Sequence, residues 1–98
     1  MFVAASRITL HVGSSQSLKD KRQVVRSLLQ RLRNEFNVSA AEVDTQDKRQ
    51  LATLGLAYVS GDAAHAEAVL DNAIRYIEET RPDVEVSGVS TDVFTLEA

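Results

Sequence analysis

The sequence predicts a ferredoxin-like α+β sandwich: four antiparallel strands in one sheet, two helices on one of its faces, in the order βαββαβ. Three observations carry that expectation. Apolar and polar residues alternate over 1–12 and over 51–60, the period of a half-buried strand. Two longer stretches, beginning after Ser17 and after Asp62, instead repeat apolar residues every three or four positions, the period of a helix with one buried face. The patterns follow one another as two strand–helix–strand units, and right-handed crossovers place both helices on the same side of the sheet. With 98 residues the chain is expected to form a single domain, 1–98, around one core.

Each element has a local reason. In the first strand Ile8, Leu10 and Val12 point one way and Arg7, Thr9 and His11 the other. The loop "GSSQ" leads to Ser17, which caps the first helix, with Asp20 in the third-position role of a capping box. Val25, Leu28, Leu29, Leu32 and Phe36 share one quadrant of that helix and form its buried face. A second strand is expected near 38–44, then the polar connection "TQDKRQ", then a third strand over 51–60. There Leu54, Leu56 and Tyr58 face the core, and Thr53, Gly55, Ala57 and Val59 face away. Ser60 or Asp62 caps the second helix, which buries Ala66, Val69, Leu70, Ala73, Ile74 and Ile77 and stops at Pro82. A fourth strand is expected over 84–96, with its alternation slipping near Gly88 as at a β-bulge.

The net charge is -3, yet 17–36 holds six of the eleven Lys and Arg residues. At about 100° per residue, Lys19, Arg22, Arg26 and Arg33 fall in one arc beside the buried face, with Lys21 and Arg31 off it. Overall acidity excludes a general nucleic-acid coat but not a local patch. Four cations along a helix suit contact with several phosphates, which gives affinity and salt dependence without sequence reading. Lys19, Lys21 and Arg22 also stand at the helix start, where free N–H groups favour an anion. The expected contacts are therefore Lys19, Lys21, Arg22, Arg26 and Arg33, with Lys48 and Arg49 as a second group. The chain's own Glu67, Asp71 and Glu78, in one arc of the second helix, are the competing partners for the stripe.

The uncovered sheet face is expected to carry Arg7, Thr9, His11, Thr53, Gly55 and Ala57. It offers no aromatic platform on which bases could stack, which argues against an RRM-type mode. Its small side chains suit close approach of another surface, such as a second copy. No reaction is indicated. There is no Cys, hence no thiolate site or disulfide, and this fits a reducing cytoplasm. His11 and His65 lack metal-ligand spacing. Glu42, Asp44 and Asp47 form no EF-hand pattern and have Lys48 and Arg49 beside them. No catalytic constellation, metal or cofactor is expected, nor a signal peptide or a membrane span.

The stretch "SLKDKRQVVRSLLQRLRNEFNVSAAEVDTQDKRQLATLGLAYVS" resembles the YlxP-like family of small uncharacterised bacterial proteins, whose pattern runs "HSLKDKR", "RLRN", "FNVSVAEVD" and "ATLG". Gln16 stands where the family has His, and Lys48 and Arg49 replace a more apolar or aromatic pair. The resemblance implies a ferredoxin-like fold. It also implies an RNA-associated role, since family genes lie beside those for translation and ribosome maturation factors; it carries no catalytic residue. The combined expectation is a non-catalytic cytoplasmic protein that contacts ribosomal RNA or ribosomal subunits through a basic helix. The alternative is a homodimeric interaction or regulatory module whose basic helix meets an acidic partner.

Overall fold

In a computed structural model that describes residues 1–97, the chain forms β1 (Phe2–His11), α1 (Leu18–Phe36), β2 (Ser39–Asp44), β3 (Leu51–Ser60), α2 (Ala63–Thr80) and β4 (Glu85–Thr95). The strands lie in the order β2-β3-β1-β4, and every neighbouring pair is antiparallel. Both helices pack on one face, giving the ferredoxin-like sandwich. Ile8, Leu10, Leu54 and Leu56 of the central strands meet Leu28 and Leu32 of α1 and Leu70 and Ile77 of α2 in one buried core. The periodicities place these side chains there: alternation along the strands, three-and-four spacing along the helices. Phe36 and Tyr76 close the core between the helices edge to face, their ring centroids 5.4 Å apart.

The helix ends follow the sequence signals. Ser17 Oγ accepts from the Asp20 N–H (3.1 Å), and Asp62 Oδ1 accepts from the His65 N–H (3.2 Å). Asp20 differs from a capping-box partner: its carboxylate accepts from the N–H of Gln16. Asn37 ends α1 in the left-handed region at φ 54°, a conformation its short polar side chain tolerates, and donates its N–H to Arg33 O.

Two irregularities bend the sheet. On β4 the extra residue is Ser87, beside the predicted Gly88: Thr9 pairs with Gly88 and Leu10 with Val86. The second lies on β2, where the pairing slips between Glu42 and Asp44 at Val43, and nothing in the local alternation announces it. It delivers the chain into Thr45, a β-branched residue held at φ 61°. Thr45 is retained by its neighbours: its N–H donates to Asp44 Oδ1 (2.7 Å), and its hydroxyl bonds Asp44 O (2.6 Å) and lies 3.1 Å from Thr53 Oγ1. No helix among the described residues is long and apolar enough to cross a membrane.

Candidate functional site

α1 presents Lys19, Arg22, Arg26 and Arg31 to solvent. Arg33 is exposed too, but its guanidinium donates to Ala40 O and ties the helix end to β2. Among the described residues ion pairs form only between Lys21 and Glu42 and between Arg81 and Asp83. Glu67, Asp71 and Glu78 of α2 are exposed and reach none of the α1 cations. The stripe is therefore not neutralised by the second helix.

Lys21 corrects the expected anion-binding set. It is fully buried, among the largest completely enclosed side chains of the protein. Its ammonium donates to Thr45 O (2.7 Å), Leu51 O (3.0 Å) and Gln46 O (3.3 Å), which uses its three protons. Glu42 Oε2, 3.0 Å away, adds opposite charge without a hydrogen bond of good geometry. A side chain so engaged cannot meet a phosphate. The sequence held a signal for this: on the helical wheel Lys21 falls between Leu28 and Leu32, inside the buried quadrant.

At the start of α1, where an anion is expected, Ser17 Oγ already takes the Asp20 N–H and the Asp20 carboxylate takes the Gln16 N–H, so a negative side chain competes there with any bound anion. Lys21 has a different consequence. Its bonds fix the β2–β3 connection, with Lys48 and Arg49, to the first turn of α1, which carries Lys19 and Arg22. Gln50 ties the same connection to the β1–α1 loop through Gly13 O and Ser15 O, both 3.2 Å from its amide nitrogen. Two cation groups separated in sequence thus occupy one end of the molecule, and Lys48 and Arg49 line a shallow depression there with His11.

The uncovered sheet face carries Arg7, Thr9, His11, Gly55 and Ala57 in the expected register, Arg7 opposite Gly55 and Thr9 opposite Thr53. Two expectations for it change. Thr53 is only 2% exposed, its hydroxyl against that of Thr45, so it offers no contact surface. Gly55 is already approached closely by the chain itself: a Cβ there would lie 2.9 Å from Val43 Cγ1. An open groove of about 610 Å³ runs across this face between the edge strands. Ala5, Ala41 and Ala57 pave it, and Val43 and Phe94 stand at its margins, 52% and 56% exposed. Asp92 and Phe94 were absent from the expected face because the bulge at Ser87 resets the alternation of β4. Counting by twos beyond the bulge finds them. No group of three His, Asp or Glu among the described residues is placed to hold a metal ion.

Comparison with known proteins matches residues 3–91 to the family model described as a protein of unknown function, DUF503. The uncharacterised protein YlxP of Bacillus subtilis (strain 168) is 36% identical over 78 residues, covering 80% of this chain and 84% of YlxP. Two solved structures share the fold at low identity. A dimeric ferredoxin-like protein from an uncultured marine organism is 13% identical, with a TM-score of 0.55 over the whole of both chains. The N63A mutant of SnoaB, a cofactor-independent oxygenase from Streptomyces nogalater, is 15% identical, with a TM-score of 0.51 over 99% of this chain and 93% of its own. At that identity both show the fold and nothing of the chemistry. By the family match and the identity to YlxP, the chain belongs to the YlxP-like DUF503 family.

Proposed function

We propose that the protein is a non-catalytic binding domain that engages an RNA backbone through the exposed face of α1, with Lys19, Arg22 and Arg26 as principal contacts, Arg33 at the far end and Lys48 and Arg49 extending the near one. The observation that supports this reading is the absence of any carboxylate partner for these α1 cations among the described residues, in a chain of net charge -3. Arg22 and Arg26, four apart on one helix, repel each other by about 0.2–0.5 kcal/mol. A polyanion laid along the helix relieves that repulsion. The gene neighbourhood that the family resemblance implies supports ribosomal RNA as the first polyanion to test. A second copy of the chain is the other partner the findings favour, since a neighbour of the same fold is dimeric and the outer sheet face is uncovered.

The test is binding of the purified protein to ribosomal RNA fragments across a salt series. The four α1 cations alone, each on one phosphate of single-stranded RNA, give a slope of log K against log salt of about -3. The variant Lys19→Glu/Arg22→Glu/Arg26→Glu, folded by circular dichroism, should lose that binding. Equal binding by the variant rejects the α1 reading.

A further inference from the structure

The groove on the outer sheet face is lined by one positive and one negative side chain, Arg7 and Asp92, neither in an ion pair among the described residues, while the face's other carboxylates, Asp44 and Glu85, stand towards its ends. Arg7 stands exposed at the middle of β1. Asp92, on the adjacent β4, meets the N–H of Val93 (2.9 Å) and no cation. Around them the surface is small or apolar: Ala5, Ala41 and Ala57 on the floor, Val43, Val59 and Phe94 exposed above it. A groove with one charge of each sign is complementary to itself under a two-fold rotation, because each copy then offers the charge the other lacks.

We propose that this face binds a second copy of the chain in a two-fold dimer, with Arg7 of each copy against Asp92 of the other. The proposal rests on the second-copy reading above and is independent of the α1 reading. The register makes it specific. Arg7 lies opposite Ser90 and Ala5 opposite Asp92, so the two charges are two residues and one strand apart. On a sheet lattice of about 3.4 Å per residue and about 4.8 Å between strands, an axis lying in the interface and exchanging these positions carries Phe94 across the groove. It arrives over Ala41 and Gly55 of the other copy, which pair with each other at the level of Arg7 and are roofed by Val43. The same operation that pairs the charges therefore also seats the exposed aromatic ring on apolar surface. Strands of the two copies then cross at about 70°, nearer the orthogonal than the aligned packing of sheets. Strands of 10, 6, 10 and 11 residues at those spacings span a face of roughly 600 Å², about 19 Å across the strands. Two such faces crossed at about 70° overlap over roughly 400 Å² per copy, and the total of roughly 800 Å² is the size of a weak, transient interface rather than a standard one.

Sedimentation velocity of the wild type, of Arg7→Glu and of Asp92→Arg, each alone and the two variants mixed, tests the proposal, with circular dichroism confirming the fold of each. The expected result is a wild-type dimer at high protein concentration, monomers for each variant alone at that concentration, and a dimer restored on mixing. Each variant alone opposes like charges twice, whereas the mixture pairs Glu with Arg and Arg with Asp. Rescue by mixing is a readout that damage to the separate folds does not give. A monomeric wild type overturns the second-copy reading and this surface together. A dimer that persists in both variants leaves the second-copy reading standing and overturns this surface. Monomeric variants that stay monomeric on mixing overturn the Arg7–Asp92 pairing.

Discussion

A buried lysine needs a reason, and Lys21 has one in the loop it holds. Transferring an ammonium from water costs several kcal/mol unless its charge and protons are met; here three carbonyls take the protons and Glu42 supplies the charge. Lys21→Met keeps the length of the side chain but strands those carbonyls and the carboxylate. A loss of about 3 kcal/mol is expected from urea denaturation, with faster amide exchange over 45–50. Retention of stability within about 0.5 kcal/mol would show that the ammonium does not hold the connection. Gly55 gives a second test at this scale. Gly55→Ala brings Cβ to 2.9 Å from Val43 Cγ1 and should cost about 1–3 kcal/mol. The same change made in a Val43→Ala background should cost less, because the obstructing methyl is gone; an equal cost would place the strain elsewhere. Asp83 has a pH signature. Two hydrogen bonds from the Arg81 guanidinium, 2.9 and 2.7 Å, hold its carboxyl below the ordinary range against a smaller opposing effect of burial. Its contribution is present above the unfolded-state pKa of about 3.8 and is lost as pH falls through the lower folded value. The pair lies at the surface and is partly exposed, so Asp83→Asn should cost under about 1 kcal/mol at neutral pH and nothing in strong acid, read from urea midpoints across pH.

At the scale of the element, α1 shows what was legible and what was not. Its cap, buried quadrant and basic stripe all follow from spacing, because a helix's faces are fixed by its period. The misplaced residue was Lys21, assigned by its charge when its angle on the wheel said otherwise. Chemistry of the side chain and geometry of the helix disagreed there, and geometry prevailed because partners were waiting in a loop distant in sequence. In β4 the strand and its slip near Gly88 were legible, but the facing of its later residues was not. One extra residue reverses which side chains face out, so Asp92 and Phe94 could be placed only once the bulge was fixed at Ser87. The stripe itself makes a prediction that separates function from stability. Arg26→Glu replaces a repelling pair with Arg22 by an attracting one, and it should leave thermal stability equal or raised by about 0.5 kcal/mol while weakening RNA binding. Parallel loss of stability and binding would instead mark Arg26 as structural.

For the molecule as a whole, the two proposed surfaces lie on opposite sides of one sheet: the uncovered face of the strands and the outer face of the helical layer. A dimer made through the strands leaves both copies of α1 outermost, separated by two sheets and two helical layers, about 30 Å at roughly 10 Å per layer. An RNA long enough to reach around that thickness would meet two basic helices, and the second contact would be intramolecular. Linked sites of this kind commonly gain about 10² or more in apparent affinity without any new contact. Arg7→Glu removes no α1 cation, so its effect on binding isolates the assembly. On a long ribosomal RNA fragment the monomeric variant should bind about a hundredfold more weakly than the wild type. On an oligonucleotide that covers one helix only, the two should bind alike. Fluorescence anisotropy with the two RNAs reads both arms. Equal binding of the long fragment by monomer and dimer would show that each α1 acts alone; weaker binding of the short one would show that Arg7 itself touches RNA.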